Sequence, residues 1–129
     1  MDILSIQKKL KLDKSTHRLI LDIPNELKGI LENYGSDDQY RSEKDGIYDF
    51  VLIFSKTQEE LEKTILRIKN ASKWDSVFWV SYPKLSGAIS SNMKRETIWK
   101  AFELIGLEAV TQISLDNTWS ALRARPLNR

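Results

Sequence analysis

Hydrophobic positions in this chain arrive in short dense runs separated by amphipathic stretches, and each change of period predicts an element. Ile3, Ile6 and Leu10 fall at i, i+3 and i+7 with lysines opposite, so a short helix capped by Asp2 is expected first. Asp13-Lys14-Ser15-Thr16 is a polar break. Arg18-Leu19-Ile20-Leu21-Asp22-Ile23 is an apolar run short enough to be a buried strand, stopped by Pro24. Asn25 is placed to cap a helix that turns Leu27, Ile30, Leu31 and Tyr34 inward, with Gly35 as its left-handed terminator.

Residues 36–46 are polar and acidic, with Tyr40 as their apolar anchor, and read as a surface connection. Tyr48-Asp49-Phe50-Val51-Leu52-Ile53-Phe54 is the densest β-branched and aromatic run and is expected to be a central strand. Thr57-Gln58-Glu59-Glu60 has the spacing of a capping box, opening a helix that buries Leu61, Ile65 and Ile68. Val77-Phe78-Trp79-Val80-Ser81-Tyr82 reads as the next strand, closed by Pro83. After a loop over residues 84–92 comes a helix expected to bury Met93, Ile98, Trp99, Phe102 and Ile105 and to end at Gly106. Ala109 to Leu115 and Thr118 to Arg123 alternate about the turn Asp116-Asn117 and predict an antiparallel hairpin.

Strands alternating with helices predict an α/β fold: a three-layer, mainly parallel Rossmann-like sheet of at least five strands, ending in the antiparallel hairpin. Without repeat or linker, residues 1–129 read as a single domain, with residues 1–14 forming an N-terminal helix packed on it. Of the four tryptophans, Trp79, Trp99 and Trp119 are expected in the core, and Trp74 near a turn is the candidate for exposure.

Composition removes several function classes. The absence of cysteine excludes disulfides, thiolate metal sites and a cysteine nucleophile. No secretory signal pattern opens the sequence, and no apolar run is long enough to cross a bilayer, so a cytoplasmic address is expected. A net charge of +2 is too small for a nucleic-acid footprint, and such a partner is not expected. Lys8, Lys9, Lys11 and Lys14 suit an ordinary surface helix as well as an anionic surface. His17 stands alone without a partner pattern, and Asp37, Asp38, Glu43 and Asp45 match no cation-loop spacing, so no metal site is expected.

The richest candidate for binding chemistry is the loop after the third strand. Ligands of open α/β sheets lie beyond the carboxyl ends of strands, and a helix N-terminus favours an anion. Lys84 and Arg95 would supply charge there, with Ser90, Ser91 and Asn92 donating hydrogen bonds; alternatively, Ser91 or Asn92 caps the helix. Alternation on the last strand puts Trp119 and Arg123 on one face, as a second candidate or as core and edge.

Trp79-Val80-Ser81-Tyr82-Pro83-Lys84 and Trp119-Ser120-Ala121-Leu122-Arg123 resemble the signature of a family of short bacterial proteins described as a domain of unknown function. More distantly, the order of elements from Tyr48 onward is similar to the second half of class I methyltransferases, with the first run as their first strand. That likeness implies a glycine-rich turn after the first strand, where the backbone approaches S-adenosylmethionine. Here the turn is Asp22-Ile23-Pro24-Asn25-Glu26, without glycine and with one amide donor removed by proline. The chain is therefore expected not to bind S-adenosylmethionine with useful affinity, and no cofactor is expected.

With no nucleophile–base pair or metal set in view, the leading expectation is a non-catalytic or vestigially catalytic domain binding a small anionic or nucleotide-like ligand, which leans away from an enzyme. The alternatives are a small transferase acting on an anionic substrate, or a regulatory module that pairs, as a homodimer for instance, through the C-terminal hairpin.

Overall fold

A computed structural model describes residues 2–85 and 87–129; Ser86 of the candidate loop lies outside the described residues. Helix α1 (Ile3–Leu10) starts at Asp2, whose carboxylate accepts the Ser5 amide, and buries Ile6, Gln7 and Leu10 as its period demands. Strand β1 (Arg18–Leu21) is followed by a 3-10 segment, Asn25–Leu31, and then by β2 (Tyr48–Phe54) and α2 (Gln58–Arg67). The chain continues through β3 (Ser72–Pro83), α3 (Arg95–Glu103), β4 (Leu107–Ser114) and β5 (Trp119–Pro126).

The five strands form one sheet in the order β1-β2-β3-β5-β4. β1, β2 and β3 are parallel, while β5 is antiparallel to both β3 and β4, so four of the five strands run one way. The expected mainly parallel α/β sheet with a terminal hairpin is thus the observed architecture.

Alternate residues divide the core between the two sides of the sheet. Leu19, Leu21, Val51, Ile53, Val80 and Leu122 pack beneath α2 and α3, where Leu61, Ile65, Ile98 and Phe102 meet them. Ile20, Leu52, Phe54, Trp79, Trp119 and Ala121 face the other way, covered by Ile6 and Leu10 of α1 with Leu12, Leu27 and Ile30. Two side-chain bonds lock this second layer. The Trp79 indole donates to the Leu10 carbonyl at 3.0 Å, and the Gln7 amide donates to the Ile30 carbonyl at 2.9 Å. No helix among the described residues is long and apolar enough to cross a membrane.

Several expectations need correction. The segment after Pro24 is a 3-10 helix without a side-chain cap, and its left-handed residue is Asn33 rather than Gly35. Pro24 itself occupies the capping position, so Asn25 has no cap to make. β3 begins five residues earlier than the apolar run suggested, at Ser72 instead of Val77, with Asp75 at a positive φ where its register to β2 shifts. Trp99 is 47% exposed rather than core, because α3 leans over the sheet margin and buries Ile98, Ala101 and Phe102 instead.

Candidate functional site

The direction in which the chain leaves each strand decides where a crevice can open. After β1 it passes to the α1 side, where Leu27 and Ile30 are buried; after β2 it passes to the opposite side, into α2. Loops that part in this way leave a crevice beyond the carboxyl ends of their strands, the usual ligand position in open α/β sheets. A crevice of about 430 Å³ lies there. Asp22, Ile23 and Pro24 after β1, Phe54, Lys56 and Glu60 after β2, and Trp119 of β5 line it.

Its walls are held by local bonds. Thr57 caps α2 by accepting the Glu60 amide, and the Glu60 carboxylate accepts the Lys56 amide at 3.0 Å, which draws the loop shut. Phe54 and Trp119 meet edge to face with centroids 5.3 Å apart. Asp22 adopts a φ of 60°, a left-handed turn made without glycine. The Trp119 indole N–H is buried and has no hydrogen-bond partner among the described residues.

Of the residues singled out in the sequence, Lys84, Ser90 and Ser91 line a second cleft, of about 330 Å³, beyond the end of β3. Lys84 Nζ donates to the Ser114 hydroxyl at 2.6 Å. The Ser91 hydroxyl donates to the Lys56 carbonyl at 2.6 Å and accepts the Met93 amide, so this loop is tied to the loop after β2 and the two clefts adjoin. Asn92 faces α2, its side-chain carbonyl accepting the Gln58 amide at 2.9 Å. The start of α3 is closed by Lys94 and Thr97 rather than by Ser91 or Asn92.

Arg95 points to a different surface, where its guanidinium donates to the Gln112 side chain at 2.9 Å. Trp119 stands in the crevice wall, and Arg123 lies four residues along β5, opposite Trp79. Burial pushes the Arg123 guanidinium below the ordinary arginine range, and its Nε has no partner among the described residues. The structure therefore joins Lys84, Ser90 and Ser91, sets Trp119 next door, and puts neither Arg95 nor Arg123 in either cleft.

Lys56 carries no motif, and Phe54 and Glu60 read in the sequence as strand and helix-cap residues rather than as site residues. What would have found them is topology: the parting of the chain after β1 and β2 places the crevice between those two loops. The acidic connection has structural duties instead. Asp37 pairs with Lys44 at 2.7 Å and accepts the Tyr48 hydroxyl, and among the described residues no three metal-ligating side chains cluster.

No family model and no curated protein matches the sequence. Solved structures do match, over nearly the whole of this chain. An S-adenosylmethionine-dependent methyltransferase from Aquifex aeolicus superposes with a TM-score of 0.62 at 12% identity, over 95% of this chain and 88% of that one. A magnesium protoporphyrin IX methyltransferase from Synechocystis with bound S-adenosylhomocysteine gives 0.59 at 15% identity, over 96% and 81%. A 30S ribosomal A1408 methyltransferase from an uncultured bacterium gives 0.52 at 12% identity, over 98% and 95%. At such identities the likeness is one of fold.

These matches correct the expectation of a non-catalytic binding domain and the leaning away from an enzyme. That expectation rested on the lack of a nucleophile–base pair. Transfer between two bound ligands needs alignment rather than a protein nucleophile, so the lack excludes nothing. The fold of this chain is that of S-adenosylmethionine-dependent methyltransferases.

Proposed function

We propose that this chain is a small transferase acting on an anionic substrate, with the β1–β2 crevice holding the group donor and the cleft of Lys84, Ser90 and Ser91 holding the substrate. The observation that carries this reading is the adjacency of the two clefts at the carboxyl end of a methyltransferase-type sheet, tied by the bond from Ser91 to the Lys56 carbonyl. Lys84 and the Ser90 hydroxyl suit an anion, while the Ser91 proton is committed to the Lys56 carbonyl and holds the two loops together. Phe54 and Trp119 give the crevice an apolar wall beside its charged residues. The resemblance to the short bacterial family, and with it a bacterial source and a cytoplasmic address, belongs to the same reading.

S-adenosylmethionine, the donor that this fold implies, does not fit the crevice as a glycine turn would hold it. Asp22 carries a Cβ at the left-handed position, and Pro24 offers no amide. A 3-10 segment replaces the α-helix whose first turn would present free amides. Doubly wound sheets continue beyond their first strand, whereas among the described residues β1 is outermost, with a single bridge from Leu19 to Asp37 on its free side. A cationic donor is left with the carboxylates of Asp22 and Glu60 and the aromatic wall as its partners.

Thermal-shift and calorimetric titration with phosphorylated metabolites and nucleoside phosphates tests the reading, because a ligand of the native state raises its melting temperature. An anionic ligand is expected to raise it in the wild type and not in Lys84→Ala. Asp22→Asn, which removes a carboxylate from the crevice, is expected to leave that shift unchanged and to weaken a cationic donor alone. No stabilising ligand, or a shift that Lys84→Ala leaves untouched, would refute the reading.

A further inference from the structure

β4 is the outermost strand at the hairpin end of the sheet, and its sequence, Leu107-Glu108-Ala109-Val110-Thr111-Gln112-Ile113-Ser114, contains neither lysine nor proline, its one charge, Glu108, being paired with Arg129 at 3.4 Å. Strands so placed present unpaired amides and carbonyls that template a further strand unless charge, proline or a covering element blunts them. The surface beside β4 is apolar. Trp99 is 47% exposed, Leu127 48% and Val110 38%, the last turned out where the ladder to β5 skips a residue between Ala109 and Thr111. A groove between α3 and β4 joins Trp99 to Leu127, with Glu103 in its wall, and a second sets Val110 beside Trp99. An exposed tryptophan within such a patch marks an association surface.

The charges on this surface have an order. Arg95, Trp99 and Glu103 recur every fourth residue and form one stripe of α3 along the β4 margin, basic at one end, aromatic in the middle and acidic at the other. Among the described residues the Glu103 carboxylate has no hydrogen-bond or ion-pair partner, while the Arg95 guanidinium rests on the neutral amide of Gln112. A stripe of this kind is complementary to itself when reversed.

We propose that this edge is the interface of a homodimer in which β4 pairs antiparallel with β4 of a second copy. A two-fold axis normal to the sheet keeps both α3 helices on one side of a continuous ten-stranded sheet and reverses one against the other. Each Arg95 then faces Glu103 of the other copy, the two Trp99 rings meet at the axis, and Val110 is covered. Charged hydrogen bonds to a carboxylate replace weaker ones to an amide.

Analytical ultracentrifugation of the full chain over a concentration series tests this, with circular dichroism melts confirming that each variant folds. The wild type is expected to sediment as a reversible dimer. Val110→Lys, which puts a charge on the edge, is expected to give monomer. Arg95→Glu and Glu103→Arg are each expected to weaken the dimer by about tenfold at low salt, and the double exchange to restore it, since the pair occurs twice about the axis. A wild type that stays monomeric at every concentration would overturn the proposal. So would a dimer indifferent to Val110→Lys, or one that the double exchange fails to restore.

Discussion

Trp79 and Trp119 offer a comparison, because they share burial and a side of the sheet but differ in one hydrogen bond, Trp119 meeting Phe54 edge to face as well. Both are 1% exposed and lie on the same side of the sheet, on the paired strands β3 and β5. The Trp79 indole donates to the Leu10 carbonyl, whereas the Trp119 indole is buried without a partner among the described residues. Replacing either by phenylalanine removes roughly 40 Å³ of side chain, which at about 24 cal/mol per Å³ of cavity costs about 1 kcal/mol. In Trp79→Phe a bond is also lost and a carbonyl left unpaired, adding about 1–3 kcal/mol. In Trp119→Phe the substitution instead removes an unpaired buried donor, a relief of similar size that offsets the cavity. Trp79→Phe is therefore expected to be less stable than Trp119→Phe by about 3 kcal/mol, or roughly 10 °C in melting temperature for a chain of this size. Urea unfolding followed by circular dichroism measures the difference directly, with equal m-values checking that the unfolded states match. Equal destabilisation of the two variants would refute the reasoning, since it would mean that the hydrogen bond contributes nothing or that the Trp119 donor is satisfied.

Two further outcomes are expected. Burial works against the charged form of Asp49, but hydrogen bonds from the Thr16 hydroxyl and the Thr16 and His17 amides outweigh it and hold the carboxyl below the ordinary 3.8. Its contribution is thus complete above that value and lost as pH falls through the lower folded value; Asp49→Asn is expected to reduce stability at neutral pH and to flatten the acid limb of a urea-midpoint profile, and an acid limb as steep as wild type would count against it. Isothermal titration with S-adenosylhomocysteine is expected to show no binding in the low micromolar range, since the turn of Asp22 to Pro24 denies the close backbone approach; tight binding abolished by substitution of Asp22 would reverse that conclusion.

The alternation of strands and helices was legible because period depends on local geometry. A run such as Phe50 to Phe54 has apolar side chains on both sides only if both sides of the sheet are covered, and that implies helical layers. The caps at Asp2 and Thr57 were legible for the same reason, since a cap is satisfied within three residues. The hairpin followed from the turn at Asp116, whose carboxylate accepts the Thr118 and Trp119 amides. Sequence alone also determined the chemistry that is missing, from thiolates to a glycine turn.

Only the tertiary structure decided which strand is outermost and which loops meet. Burial of Trp99 was inferred from helical period, but period says which residues share a side and not whether anything covers it; α3 lies at the margin of the sheet, so Trp99 stays exposed. Lys84 and Arg95 looked like neighbours eleven residues apart, yet α3 starts beyond the loop and turns Arg95 toward Gln112 of β4. Lys56 and Glu60 join Asp22 in one crevice because parallel strands bring their carboxyl ends to a common edge, while crossovers on opposite sides pull the loops apart; Trp119 reaches it from the amino end of the antiparallel β5. Contacts between residues thirty or more positions apart are set by strand order, and strand order is a property of the whole folded sheet that no local pattern carries.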